Sequence, residues 1–385
     1  MSTRHSSTGP LAGMKVIELA GIGPGPMCAM LLADLGATVL RIDRTEPSGL
    51  GIQRPLRFNL LLRNRHSISL DLKDPEAVET VLTLLESADA LIEGFRPGVT
   101  ERLGLGPAEC LARNPKLVYG RITGWGQEGP LAKLAGHDVN YLAITGVLDA
   151  IGRAGEAPVI PLNLVGDYAG GSLYLALGIM SALFETRSSG KGQVVDAAIV
   201  DGAAHLATTF YGMLAAGMLG ERGTNINDGG AYFYDVYECS DGRWISVGPI
   251  EPKFFIELLR LLQIDASGLG PQLDKSTWPA AREQFAQRFL QRTRDEWTGL
   301  LQNSDACFAP VLHWSEAADH PHLRARQTFV DINGVSQPSP APRFSRTAPG
   351  LPTPPAPNDA DVDTALAGWL PAHSIAKLRE RGTIK

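Results

Sequence analysis

Apolar and polar positions fall into short blocks of changing period along the first third of the chain. Residues 15–20 (KVIELA) form a β-rich run, residues 21–26 a turn of glycine and proline, and residues 27–35 an amphipathic helix closed by Gly36. A second strand over 38–42 ends at Asp43. This β-turn-α-β order calls for a parallel sheet covered by helices. The pattern continues as a helix over 76–88, a strand over 90–93, a helix over 107–113 with Pro107 first, and a strand over 117–123.

Past residue 136 the texture becomes helical. Residues 138–148 and 168–186 predict helices, residues 190–192 break the chain, and a long apolar helix follows. From Ala231 the periods shorten again. Residues 231–239 and 243–247 read as a hairpin around Ser240, Asp241 and Gly242. Helices are expected over 253–262, 280–291 and 294–302, then a proline-rich extended connector over 337–357 and a helical tail over 361–381. There is no internal repeat. These blocks suggest a large α/β lobe over 1–195, a linker helix over 196–230, a smaller α+β lobe over 231–325, and a segment over 326–385 that returns to the large lobe.

Composition narrows the function classes. The 385 residues are 44% hydrophobic and 20% charged, as in a globular protein with a sizeable core. A formal charge of −6 argues against nucleic acid as the main partner. Cys28, Cys110, Cys239 and Cys307 lack metal-ligand spacing and fit a reducing compartment, each as a small buried apolar residue. Residues 1–10 are polar and read as a short disordered leader with no secretory signal. The apolar stretch 173–184 is too short to span a bilayer, and 197–220 carries Asp201 and His205. Both are expected as buried helices, the second suited to a subunit interface, in a soluble, cytoplasmic protein without a membrane partner.

The strand, glycine turn and helix over 15–35 invite a dinucleotide-binding reading. The Rossmann fingerprint needs a third glycine, and here that position is Pro26. A tight turn that starts a helix is the simpler reading, although Asp43 lies where a ribose-binding acid would fall. A different ligand is suggested by residues 41–73. Arg41, Arg44, Arg54, Arg57, Arg63, Arg65 and Lys73 stand there against Asp43, Glu46 and Asp71, a local +4 in an acidic chain. Arg96 and Arg102 follow the strand that ends at Glu93. Arginine forks suit phosphate, and loops after parallel strands collect ligands. A solvated basic face is the alternative.

Three polar places can carry chemistry. His137 and Asp138 precede one helix, Asp167 precedes another, and Glu251 with Pro252 starts a third. Taken singly, Asp138 and Asp167 are ordinary N-caps, Glu251 complements a helix dipole, and His137 is a surface histidine. Taken together they fit proton removal next to a thioester. That reaction needs a base, a proton donor on the opposite face, and amides that stabilise an enolate oxygen. A carboxyl whose pKa is raised by burial can be the donor. No metal-ligand set is apparent and no cofactor is expected.

One set of motifs carries a resemblance: residues 19–26 (LAGIGPGP), 35–37 (LGA), 41–44 (RIDR), 63–65 (RNR), 71–73 (DLK), 93–98 (EGFRPG), 101–106 (ERLGLG), 124–126 (GWG), 136–141 (GHDVNY), 165–167 (VGD), 190–195 (GKGQVV) and 341–347 (APRFSRT). From about Pro10 to Pro355 the chain resembles the class III CoA-transferase family, and within it the 2-methylacyl-CoA racemase branch. The resemblance implies an α/β fold with a large lobe bearing a Rossmann-like parallel sheet and a smaller α+β lobe. It also implies an intertwined homodimer of interlocked ring-like chains.

The same resemblance implies an acyl-CoA thioester substrate, with CoA as part of the substrate and not a cofactor. Carried over by position, its contacts are Arg44, Leu70, Asp71, Leu72, Lys73, Gly94, Phe95, Arg96, Arg102, Gly136, His137, Asp138, Val139, Asn140 and Tyr141. The racemase branch implies His137 and Asp167 as the acid–base pair. Asp138 and Glu251 are implied as a supporting pair, with Glu251 from the small lobe of the other subunit. The transferase branch implies Asp167 as a nucleophile that forms an acyl anhydride.

Overall fold

The structure is a computed structural model and describes residues 8–384 except Pro47. The chain divides into two compact units. The first runs to Thr145 and resumes over Leu162–Leu206 and again from Arg326; the second is Gly146–Pro161 with Ala207–Ala325.

In the first unit, β1 (Lys15–Leu19) leads through Gly23, held at φ 65°, into α1 (Pro24–Asp34). The helix begins three residues earlier than its apolar pattern, because Pro24 and Pro26 fall in the first turn, where no amide is needed. β2 (Thr38–Asp43), β3 (Arg65–Ser69), α2 (Pro75–Leu85) and β4 (Ala90–Glu93) follow. Next come α3 (Val99–Arg102), α4 (Pro107–Arg113) and β5 (Val118–Thr123). After α5 (Asp138–Ile144) the chain leaves the unit and re-enters as a ten-residue π-helix, Leu164–Leu173. α6 (Tyr174–Ser189), β6 (Val194–Ala198) and α7 (Ile199–Leu206) complete this stretch.

All six strands are parallel, in the order β3-β2-β1-β4-β5-β6. That is the order of a Rossmann sheet, with its switch point between β1 and β4. The strands are buried on both faces. Ile17, Leu40 and Ile42 pack toward α2 and α4, while Val16, Val39 and Ile92 pack toward α1 and α6. Two strands are not marked as strands by the apolar pattern. β3 reads Arg-His-Ser-Ile-Ser and looked like part of a basic segment, and β6 was absorbed into the expected long apolar helix.

The second unit holds α8 (Thr208–Ala215), then the hairpin β7 (Asp235–Glu238) and β8 (Trp244–Val247). α9 (Pro252–Leu262), α10 (Trp278–Phe289) and α11 (Arg294–Leu301) follow, and β9 (Phe308–Pro310) joins β8 as an antiparallel third strand. Two short helices, α12 (Trp314–Ala317) and α13 (Pro321–Ala325), end the unit. Its core is aromatic: Tyr232, Phe233, Phe285, Phe289 and Trp297 are fully buried.

The last stretch belongs to the first unit. β10 (Phe329–Ile332) and β11 (Val335–Pro338) form a small antiparallel pair. Beyond an extended connector, α14 (Val362–Leu366) and α15 (Ala372–Glu380) place Val362, Leu366, Trp369 and Ile375 in the core on the α2 side of the sheet.

Three expectations are corrected. Of the expected disordered leader, residues 1–7 lie outside the described residues. From Thr8 the chain is packed, and the Leu11 amide donates to the Leu35 carbonyl at 3.0 Å. The apolar stretches 173–184 and 197–220 do not bury all their side chains within one chain. Leu173, Leu177, Phe184, Leu206, Phe210 and Leu214 are exposed, because each helix presents only one face to its own unit. Cys307 is exposed at φ 49°, whereas the other three cysteines are buried. Among the described residues no helix is long and apolar enough to cross a membrane.

The π-helix lies against α7 at a contact of backbone on backbone. A Cβ on Gly202 would sit 1.8 Å from the Gly170 carbonyl oxygen. Gly202→Ala is therefore expected to destabilise the protein by about 2–3 kcal/mol, read as a lower urea midpoint; an unchanged midpoint would contradict this packing.

Candidate active site

The C-terminal edge of the parallel sheet gathers most of the expected ligand contacts. Arg44 follows β2, Leu70 to Lys73 follow β3, and Gly94 to Arg96 follow β4. Leu70 is buried and Leu72 half-buried, whereas Arg44, Asp71, Lys73, Gly94, Arg96 and Arg102 are exposed. Each loop is braced from below. Asp43 Oδ1 accepts the Arg44 amide at 2.7 Å, Asp71 Oδ1 accepts the Lys73 amide at 3.0 Å, and Glu93 Oε2 accepts the Phe95 amide at 2.7 Å. The Arg44 guanidinium stands 5.8 Å from the Phe95 ring centroid. Arg121 spans Glu93 (2.6 Å) and Glu101 (2.8 Å), tying β4 and β5 to the short helix that bears Arg102. Burial pushes the Glu93 carboxyl above its usual range despite the Arg121 charge.

The basic segment divides in two. Arg41, Arg63 and Arg65 are buried and serve the fold: Arg65 pairs with Glu18, Arg63 with Asp34, and Arg41 with Asp43. Their charges are neutralised beneath the sheet edge, so the local +4 overstated what a ligand meets. Arg44, Arg54, Arg57 and Lys73 remain exposed.

The acid–base candidates converge through one carboxylate. Asp138, at the first position of α5, is buried, and its Oδ1 accepts the Asp167 amide at 2.7 Å. A Cβ on Gly166 would fall 2.4 Å from Asp138 Oδ1, so only glycine allows this approach. Asp138 Oδ2 is buried with no hydrogen-bond partner, and burial raises the Asp138 pKa. The plain reading of these residues as caps of their own helices is thereby corrected. His137, and not Asp138, is the N-cap of α5, and its amide donates to Asn140 Oδ1 at 3.0 Å. Asn163, and not Asp167, is the N-cap of the π-helix.

Asp167 is half-buried in the first turn of the π-helix. Its pKa is pushed up to about 6, first by burial and further by the Asp138 charge, against an Asn163 hydrogen bond and the His137 charge. His137 is exposed and close enough for its charge to act on Asp167. The glycine turn after β1 faces the same carboxyl, since a Cβ on Gly23 would lie 3.4 Å from Asp167 Oδ2. Ser172 donates to the Pro24 carbonyl at 2.8 Å, joining the π-helix to the start of α1.

Tyr141 seals one side. Its hydroxyl donates to the Gly136 carbonyl, and its ring meets Trp125 edge-on at 4.7 Å. A Cβ on Gly124 would overlap the Tyr141 ring at 2.0 Å, which explains the glycine beside Trp125. Burial raises the Tyr141 hydroxyl to about 12, with Asp167 and Asp138 adding to the shift and Arg96 opposing it. Gly136 and Val139 are half-buried and Asn140 is exposed. Glu251 belongs to the second unit, where it is an exposed N-cap of α9. Asn163 escaped the sequence reading, since a lone asparagine in a loop carries no signal there; Gly23 was read as part of a tight turn that starts a helix, without its nearness to Asp167. Among the described residues no group of His, Cys, Asp or Glu is placed to hold a metal ion.

Residues 11–361 match the model of CoA-transferase family III. The chain belongs to this family. Among its relatives, alpha-methylacyl-CoA racemase of Mus musculus is 43% identical over 374 residues, covering 97% of this chain and 93% of the relative. The Homo sapiens protein of the same name is also 43% identical, with 89% and 88% covered. A CAIB/BAIF family protein from Brucella suis has a solved structure that superposes with a TM-score of 0.81 at 27% identity, covering 94% of this chain and all of that one. The mixed α/β fold of this family III member, a six-stranded parallel sheet with small antiparallel sheets, is thus a family property.

A raised carboxyl pKa is also a statement about stability. Folded Asp167 holds its proton more tightly than the unfolded chain does. Its contribution is therefore most favourable below the ordinary value of 3.8 and is lost as pH rises through about 6. Asp167→Asn is expected to stabilise the protein at pH 7.5 by about 1–3 kcal/mol, a gain that shrinks by more than half at pH 4.5. Urea unfolding at the two pH values checks this; an equal effect at both would contradict it.

Proposed function

We propose that this protein is a 2-methylacyl-CoA racemase that interconverts the (2R) and (2S) thioesters through an enolate. The observation that carries this reading is the buried Asp138 carboxylate, directly after the exposed His137, which accepts the amide of the half-buried Asp167 at 2.7 Å and so joins the two segments. The 43% identity to two proteins named alpha-methylacyl-CoA racemase supports it.

His137 takes the C2 proton from one isomer. The C–H electron pair moves into the C1–C2 bond, and negative charge develops on the thioester oxygen. Asp167, in its protonated form, gives its proton to C2 from the opposite face, and the carbonyl re-forms. For the other isomer the roles reverse. One proton leaves and one arrives, so neither oxidant nor cofactor is required. A carboxyl near pKa 6 suits both roles near neutral pH. Asp138 already holds the Asp167 amide, so the enolate oxygen is assigned to amides in the first turn of α5.

CoA is assigned to the loops at the sheet edge, with Arg44, Lys73, Arg96 and Arg102 meeting its phosphates. Leu70 to Leu72, Gly94, Phe95 and residues 136–141 contact the rest. The protein works as an interlocked homodimer in which Glu251 of the small unit supports the site of the partner. The exposed Leu173, Leu177 and Phe184 on the first unit support burial against a second copy.

A single enantiomer of a 2-methylacyl-CoA in D₂O tests the reading. Deuterium is expected to enter C2 as optical purity falls. His137→Ala is expected to slow this by about 10²–10⁴-fold while still binding CoA. No deuterium entry, or trapping of an acyl–Asp167 adduct by hydroxylamine, would favour CoA transfer instead.

A further inference from the structure

The loops assigned to CoA are not braced by the sheet alone. The free edge of β3 is covered by residues just ahead of α14. The Asp359 amide donates to the Ser67 carbonyl at 3.0 Å, and Asp359 Oδ1 accepts the Ser69 amide at 2.7 Å. Asn358 Nδ2 donates to Asp43 Oδ2 at 2.8 Å, on the carboxylate whose other oxygen holds the Arg44 amide. Asn358 and Asp359 thus reach the ends of β2 and β3, the two strands that lead to Arg44 and to Lys73. The clamp is anchored behind by Leu366, fully buried, and by Trp369, whose ring lies 5.0 Å from Lys15 Nζ. α15 adds Arg381, paired with Glu76 on α2.

An ordinary edge cover would need only backbone pairing. Here two side chains reach instead to the last amide of β3 and to the carboxylate at the end of β2. We infer that Asn358 and Asp359 are positioning residues for the nucleotide end of CoA, holding the Arg44 and Lys73 loops in register. This inference rests on the assignment of CoA to those loops. It concerns binding of the phosphate-bearing half of the ligand and leaves the proton-transfer groups untouched.

The test compares free CoA with pantetheine, which lacks the nucleotide, by calorimetric titration of the full-length protein. Asn358→Ala and Asp359→Ala are each expected to weaken CoA binding about fivefold and to leave pantetheine binding unchanged. With acyl-CoA substrate, KM should rise by a similar factor while kcat stays within about twofold. Arg381→Ala serves as the control for tail stability: it removes the pair with Glu76 and is expected to lower the melting temperature without moving the CoA affinity. If the Asn358 and Asp359 variants bind CoA as the parent does, or if CoA and pantetheine weaken together, or if Arg381→Ala matches their CoA loss, the positioning role is wrong. If the parent protein does not bind CoA at all, the assignment of CoA to this edge fails as well.

Discussion

One carboxylate joins the two halves of the site. Asp138 sits at the start of α5, directly after His137, and accepts the Asp167 amide in the first turn of the π-helix. His137 and Asp167 lie on two separate backbone segments, and this bond joins them. With it, the backbone at Asp167 is held 2.7 Å from the carboxylate that follows His137, by a bond that is strengthened in a low-dielectric setting. Burying Asp138 has a cost, since one of its oxygens lacks a partner. Such costs are tolerated where a site requires a rigid geometry.

The surroundings reinforce the same constraint through close backbone approach. Gly166 lets Asp138 in, Gly170 and Gly202 let the π-helix meet α7, and Gly23, at φ 65°, turns the chain after β1 beside Asp167. A π-helix is wider than an α-helix and is frequently found at functional sites. Here its first turn carries Asp167, whose carboxyl pKa is raised toward neutrality. Beneath the edge, the pairs Arg65–Glu18, Arg63–Asp34 and Arg121–Glu93 are buried and hold strand ends and loops, leaving other cations to face solvent.

Much of this was legible in the sequence, and the exceptions have physical causes. The β-turn-α-β pattern, Pro107 at a helix start and the hairpin around Asp241 all followed from local rules, and the helix over 107–113 has the expected bounds. β3 was hidden because its buried positions include an arginine whose charge is cancelled by Glu18, a partner 47 residues away. The same cancellation made the basic segment look more available to a ligand than it is. His137, Asp138 and Asp167 were visible as residues beside helix starts, but a capping motif is local, whereas the bond from Asp138 to Asp167 spans 29 positions. Nothing local marks Asn163, Asn358 or Asp359, whose partners are set by the tertiary fold.

The central claim is that His137 and Asp167 address opposite faces of one carbon. The most direct measurement follows C2–H exchange in D₂O separately for the (2R) and (2S) thioesters, with His137→Ala and with Asp167→Ala. The account predicts opposite preferences: each variant loses initial proton abstraction chiefly for the isomer whose hydrogen faces the missing group. Equal losses for both isomers in both variants would contradict it.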